Sequence, residues 1–226
     1  MASNYSPKIV TDGLVLCLDA ADKNSYPGSG TTWYDLSGNG NNGTLSAAAI
    51  GTDRPGNMDF NGSDEYIDLG NDSSLDLTSN ISVFAWVYWT GAGGEDVIYS
   101  NGSGETTGAL LQTRTSTTTR IINNYDGGYY SSDSTAFGAN AWYHVGYTFN
   151  VSTTTIQGYS NASLGGSDAG ASASGRGVTD ATIGKASWTD GRYWIGKINI
   201  VNVYNRTLST KEITQNFNAQ RSRFGA

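Results

Sequence analysis

The chain has 226 residues, 37% of them hydrophobic, with a formal net charge of −7. That length suits one β-sandwich or barrel and can bury a full core without staples. The acidic balance sets the chain against nucleic acid and anionic membrane surfaces as partners, and its single cysteine, Cys17, excludes an internal disulfide.

Only 15% of residues are charged, while 30 are glycine. Together with abundant Ser, Thr and Asn, this composition predicts many short strands joined by tight turns. Residues 1–9 are polar and aperiodic and read as an N-terminal arm. They have neither a basic nor an apolar region, so no signal peptide and synthesis in a cytoplasm are expected. No apolar stretch approaches the roughly 20 residues that cross a bilayer.

Residues 13–19 read as a strand with Leu14, Leu16 and Leu18 on one face and Cys17 as a buried, inert thiol. Residues 58–60 and 66–69 flank the turn 61–64 and predict a compact hairpin. The longest strand is 81–89. Ile81, Val83, Ala85, Val87 and Trp89 point one way and Phe84, Trp86 and Tyr88 the other, so both faces should be covered. Shorter strands follow at 97–100, 109–113 and 120–125. Residues 142–149 alternate, with Tyr143, Val145, Tyr147 and Phe149 on one side. Strands at 155–159, 182–184 and 193–204 complete the series, and 165–177 reads as a surface loop.

The last strand changes phase, with Ile198 and Ile200 of one parity and Val201 and Val203 of the other. A β-bulge near Ile200 accounts for this. A helix is predicted over 210–220. Ser209 and Glu212 form a capping box, Leu208 and Ile213 a hydrophobic staple, and Ile213 and Phe217 a face to dock on the sandwich. Residues 10–226, helix included, read as one domain.

Several of these segments resemble laminin-G-like domains of the concanavalin A-like group. They are the opening strand 10–20, the Asp-x-Ser-Gly-Asn-Gly-Asn-x-Gly turn within 33–43, the stretch 58–67, the strands 84–87 and 142–145, and the closing strand and helix over 194–213. The resemblance implies an all-β, antiparallel jelly-roll β-sandwich with one short C-terminal helix. Residues 157–160 depart from the pattern, which carries Val-Asp-Gly there. Residues 25–33 and 208–225 resemble stand-alone members encoded by tailed bacteriophages, marine ones especially, in which such a domain is a virion surface protein.

This fold hosts lectins, adhesins, hydrolases and structural proteins alike, so function has to come from the site. Glucanases of the fold carry Glu-x-Asp-x-x-Glu on one strand as acid and nucleophile. Glu65, Glu95, Glu105 and Glu212 have no such spacing, and Glu95 and Asp96 read as solvated loop charges. The single histidine, His144, reads as a packed, hydrogen-bonded strand residue. No enzyme activity and no organic cofactor are expected. Laminin-G-like domains often hold calcium through loop oxygens, and Asp96, Asn101, Glu105, Asp126 and Asp133 are the residues that would supply them.

Candidate contacts are loop aromatics beside polar groups: Tyr125, Asp126, Tyr129, Tyr130, Trp188, Asp190, Arg192 and Tyr193 suit a saccharide or a partner subunit. Tyr5, Arg221, Arg223 and Phe224 are candidate anchoring contacts at the chain ends, where Arg and aromatics favour an interface. Removing residues 1–7 or 221–226 should then leave the fold intact. The expected role is a non-enzymatic virion surface subunit, a capsid decoration or fibre protein contacting other virion proteins such as the major capsid protein and able to form a homo-oligomer. The alternative is a carbohydrate-binding module for host or polysaccharide glycans.

Overall fold

A computed structural model describes residues 8–46, 49–50, 56–77, 79–91, 94–103, 108–115, 119–124, 129–130, 138–170, 180–189 and 191–226. For 49–50, 114–115, 119–124 and 129–130 it describes the backbone alone. In chain order the strands are β1 Leu14–Asp19, β2 Thr32–Trp33, β3 Gly43–Leu45, β4 Ala49–Ile50, β5 Met58–Asn61, β6 Ile67–Gly70, β7 Ile81–Trp89 and β8 Val97–Ser100. They continue with β9 Leu110–Thr115, β10 Thr119–Asn124, β11 Tyr129–Tyr130, β12 Trp142–Asn150, β13 Thr155–Ser160, β14 Ser163–Ala169, β15 Ala181–Ile183 and β16 Ile195–Tyr204. One α-helix, α1 Thr210–Gln220, follows, and a 3-10 turn, Arg221–Arg223, extends it.

The strands form two eight-stranded antiparallel sheets. The first runs β14-β13-β12-β7-β16-β5-β4, with β1 also on β16. The second runs β11-β10-β9-β8-β15-β6-β3-β2. Between them lies one apolar core. The first sheet contributes Ile81, Val83, Ala85, Val87 and Trp89, the second Ile67, Leu69, Ile98, Leu111 and Ile183. Burying each of the Val, Leu and Ile side chains among them stabilises the fold by about 1.5–3 kcal/mol. The result is the expected antiparallel sandwich with one C-terminal helix.

The opposite parity of β7 is also buried. Phe84 and Trp86 face away from the core and are covered by the C-terminal segment. Helix α1 begins at the expected capping box. Ser209 Oγ accepts from the Glu212 amide, and the Glu212 carboxylate accepts from the Ser209 amide. Arg206 donates to both carboxylate oxygens of Glu212 at 3.1 and 2.6 Å, which holds that carboxyl down at about 2, with help from the Ser209 bonds. Ile213 is buried, and Phe217 stacks on Trp86 with ring centroids 5.6 Å apart.

The bulge in β16 stands where the phase change requires it. Ile198 pairs with Val87 and Ile200 with Trp86, so Asn199 is the extra residue. The offset keeps Ile198, Val201 and Val203 in the core while Ile200 joins the outer face. Asn199 is thereby aimed sideways, donating to the Gly56 carbonyl and to Asn57 Oδ1 and accepting from Arg223 at 2.6 Å.

Two expectations are corrected. The segments flanking 61–64 are not hairpin partners: β5 pairs with β16 and β4 in the first sheet, β6 with β15 and β3 in the second. Asn61 Oδ1 accepts from the Ser63 and Asp64 amides, and its own amide donates to Glu65. These bonds brace a crossing between sheets, which turn residues alone do not distinguish from a hairpin. Residues 163–169 are the edge strand β14 on β13, which takes in 165–169 of the expected surface loop. Edge strands buried on neither face carry no apolar alternation, so composition hid this one.

Candidate functional site

The Asp-Leu-Ser-Gly-Asn-Gly-Asn turn proves to be a clamp on β1. Asp35 Oδ1 accepts from the Cys17 and Ser37 amides, and Oδ2 from Ser37 Oγ and the Asn41 amide. Asn39 and Asn41 donate to the Leu14 and Val15 carbonyls. These carbonyls flank the irregular register of β1 against β16, and the turn satisfies them. A groove of about 330 Å³ opens beside this clamp, between Asn39, Ser74, Asp76 and Asn205. Its Asn39 and Ser74 are already hydrogen-bonded within the chain.

A different region gathers the predicted aromatics. Residues 184–189 and 191–194 belong to the loop between β15 and β16, which lies over the outer face of the second sheet. The loop is pinched at its base, where the Trp194 amide donates to the Gly184 carbonyl at 2.9 Å and Gly184 donates to Ile98 at 3.1 Å. Gly184 has φ +81, and a side chain there would meet the Phe60 ring, so glycine is required at this turn. Ser187 shares hydrogen bonds with Ser100 and with both backbone groups of Gly102. Arg192 adopts φ +55, an uncommon left-handed conformation for a non-glycine residue. Its carbonyl accepts from the Val97 amide at 3.2 Å.

So held, Trp188 packs half-buried on Val97, Leu110 and Ala186. The Arg192 guanidinium lies 6.0 Å from the Trp188 ring and makes a 2.8 Å ion pair with Glu95. Beside it, the Lys185 ammonium lies 4.8 Å from the Tyr66 ring and 5.7 Å from that of Tyr193. Three rings, two cations and a carboxylate thus share one half-exposed surface.

Of the predicted contacts, the structure brings together Trp188, Arg192 and Tyr193. Tyr129 and Tyr130 form β11, hydrogen-bonded to β10, and their side chains lie outside the described residues. Tyr125, Asp126, Asp190 and Tyr5 also lie outside them. Tyr66 and Glu95 were missed as site residues because they come from two separate segments that only the sandwich brings to this loop, and Lys185 because it stands in the loop outside the aromatic run 188–194. Glu95 and Asp96 are not solvated loop charges: Glu95 pairs with Arg192, and Asp96 is buried, its Oδ2 accepting from the Trp89 indole at 2.8 Å. Burial pushes the Asp96 carboxyl above its ordinary range, against the pull of the Trp89 bond.

Of the candidate calcium ligands, Asp96 is committed to Trp89 and the Asn101 side chain to the Leu75 carbonyl and Ala109 amide. Glu105, Asp126 and Asp133 lie outside the described residues. Among the described residues, no group of three or more His, Cys, Asp and Glu side chains could hold a metal ion.

The C-terminal candidates lie on the other sheet. Arg223 makes a bidentate pair with Asp19 at 2.6 and 2.7 Å. Phe224 stacks on Trp86 at 4.0 Å and tilts against Trp142. Residues 221–226 are therefore part of the cover on the first sheet. Arg221 is exposed over the Phe217 ring. His144 is packed as expected, between Phe84, Trp86 and Phe217, but neither ring nitrogen has a hydrogen-bond partner. Gly146 makes room for this packing, since a side chain there would strike the Phe84 ring. Burial pushes His144 down to about 3 and, with nearby carboxylates, Cys17 up to about 12. Neither group is poised for proton transfer or nucleophilic attack near neutral pH.

Among the described residues, no helix is long and apolar enough to cross a membrane. No curated protein matches the chain by sequence. Among solved structures, the receptor binding domain of botulinum neurotoxin C/D mosaic serotype is similar at TM-score 0.66 and 18% identity, over 93% of this chain and 52% of that one. The binding domain of botulinum neurotoxin serotype D gives 0.64 and 19%, over 93% and 53%. A Trypanosoma rangeli sialidase mutant displaying trans-sialidase activity gives 0.70 and 18%, over 94% and 34%. The chain thus spans about half the length of the neurotoxin chains and a third of the sialidase. At these identities the likeness is one of fold. The family model described as concanavalin A-like lectin/glucanases superfamily matches residues 60–214. With two stacked antiparallel sheets and more than half of its length matched, the chain belongs to the laminin-G branch of the concanavalin A-like lectin and glucanase superfamily.

Proposed function

We propose that the chain is a non-enzymatic, lectin-like module that binds saccharide through the surface formed by Trp188, Tyr193, Tyr66, Lys185, Arg192 and Glu95. The observation that carries this reading is the half-exposed Trp188 ring, backed by apolar side chains and flanked by an Arg–Glu pair. An aromatic face stacks on the C–H face of a pyranose, and polar neighbours fix its hydroxyls. The absence of catalysis is supported by the carboxylates: Glu65, Glu95 and Glu212 sit on separate segments, each engaged with the chain's own groups. A glycan array, run with calcium and with chelator, tests the reading. Binding that Trp188→Ala weakens at least tenfold is expected. An array without a hit, or hits indifferent to Trp188→Ala, overturns it.

A second reading is favoured by the likeness of residues 25–33 and 208–225 to phage-encoded members. In this reading the module is displayed on a virion exterior as a decoration or fibre subunit, made in the host cytoplasm and held by other virion proteins such as the major capsid protein. Both stretches also serve the fold: Ser25 and Tyr26 hydrogen-bond locally and Trp33 is buried in the first, and Leu208 and Ile213 are buried in the second. Anchoring falls to the chain ends, with Tyr5 and the exposed Arg221 as contacts. Undiminished occupancy of purified particles by a chain lacking residues 1–7 and carrying Arg221→Ala would rule out anchoring by the ends.

A further inference from the structure

Gln112 is the most unexpected residue of the second sheet. It stands on β9, opposite Val97 of β8 and Ile122 of β10, and is 0% exposed. Both polar atoms of its amide are buried, and neither has a hydrogen-bond partner. A carboxamide can accept two hydrogen bonds and donate two. In a strand where an aliphatic side chain would pack without penalty, an unused buried amide needs a reason.

Its place supplies one. Residues directly opposite on antiparallel strands share a face, with Cβ atoms about 5 Å apart. Val97 faces outward, in the cluster with Leu110 and Ala186 on which Trp188 rests. Leu110 lies two residues from Gln112 along β9, hence on the same face. Gln112 therefore lies at the foot of the Trp188 surface, beside its apolar backing.

We propose that Gln112 is the hydrogen-bonding floor of the saccharide site, with Trp188 as its stacking wall, and that the ligand is a neutral hexopyranose presenting a vicinal diol. This rests on the saccharide reading above. An amide offers a donor and an acceptor in one plane, so one sugar hydroxyl accepts from Nε2 while its neighbour donates to Oε1. The match needs no charge on the ligand. The cations nearby are already engaged, Arg192 by Glu95 and Lys185 by tyrosine rings. A chain with a net charge of −7 also repels polyanionic sugars. To reach the amide, the sugar displaces Trp188 from Val97 and Leu110, and the ring closes on the sugar's apolar face.

The test titrates the whole chain with methyl α-mannoside, methyl β-galactoside, methyl β-glucoside, dextran, galactomannan and polygalacturonate, by calorimetry and by NMR of the side-chain amides. At least one neutral probe should bind, shift the Gln112 side-chain NH2 signals and alter Trp fluorescence. Gln112→Leu should lower affinity at least tenfold while its melting temperature holds or rises, because the substitution removes an orphaned amide. If a neutral probe binds and Trp188→Ala abolishes it, but Gln112→Leu binds within twofold and the Gln112 signals stay still, the assignment of Gln112 is wrong while the saccharide site stands. Binding of polygalacturonate alone overturns the neutral diol. If neither these probes nor the array shows binding, the saccharide reading falls and this inference with it. Should Gln112→Leu misfold, the NH2 shifts of the unaltered chain decide.

Discussion

The outer faces of the two sheets carry the same anomaly under different covers. On the first, His144 and Asn202 are buried with their polar side-chain atoms unpaired. On the second, Gln112 is. The first face is sealed by a capped helix and its tail, with Phe217 and Phe224 stacked on Trp86 and the Trp86 indole donating to Gln220 at 2.9 Å. The second is covered by a loop whose Trp188, Arg192 and Tyr193 remain half-exposed. A cover of stacked aromatics tied by charged and polar bonds closes a face. A cover that packs one half-exposed ring on three small apolar contacts leaves it open to exchange with a ligand. The physical difference is how much apolar area each cover buries.

The largest effect is expected at Trp86. Truncation to alanine removes a fully buried indole from between His144, Phe217 and Phe224 and orphans Gln220. It should cost about 3–5 kcal/mol in a urea unfolding titration. Trp188→Ala, by contrast, should cost about 1 kcal/mol, since its ring is only half buried. Similar losses at the two tryptophans would mean that the two covers hold their faces equally.

Acid should open the first face first. Burial lowers His144 from 6.5 to about 3, so between these values the unfolded chain binds a proton that the folded chain does not. Stability is then full above about pH 6.5 and falls by up to about 1.4 kcal/mol per unit as pH drops toward 3. Glu212, lowered from 4.5 to about 2, adds a loss of the same sign from about pH 4.5 downward. His144→Phe should flatten the stability profile between pH 6.5 and 4.5 and leave the lower limb. An unchanged upper limb would mean that His144 is hydrated or paired in solution.

Deleting residues 221–226 removes the Phe224 stack and the Arg223–Asp19 pair and should cost about 2 kcal/mol. Hydrogen exchange should report the loss along β7 and β12 and not along β8 and β9. The smallest effect reverses sign. Asn202→Leu replaces an orphaned amide by an apolar group and should stabilise by up to about 1 kcal/mol. A clear destabilisation would show that Asn202 has a water partner.

Helix α1 was fully legible in the sequence. Its capping box, staple and docking residues Ile213 and Phe217 are local in sequence, and local rules fix them. The long strands β7, β12 and β16 were legible for the same reason, as was the bulge, because a period-two pattern cannot shift phase without an extra residue. Strands β2, β3, β4, β11 and β14 were not read. They are two or three residues long, or polar on both faces, and hydrogen bonding to a neighbour, not side-chain pattern, makes them strands.

Pairing and assembly were decided by tertiary structure alone. The turn at 61–64 looks like a hairpin, yet Glu65 and Asn61 brace a crossing from one sheet to the other. Trp188, Arg192 and Tyr193 could be picked out as chemistry, being close in the chain. Their companions Glu95, Tyr66 and Gln112, far off in the chain, could not, and Lys185, in the same loop, lies outside its aromatic run. Composition and periodicity record which face a residue takes, so the sequence by itself determined the sandwich, its two-sided central strand and its helix. Which outer face is closed and which is open depends on what the chain lays over each sheet from far along the sequence, as between Trp86 and Gln220, 134 residues apart. Contacts at that separation leave no period in the sequence.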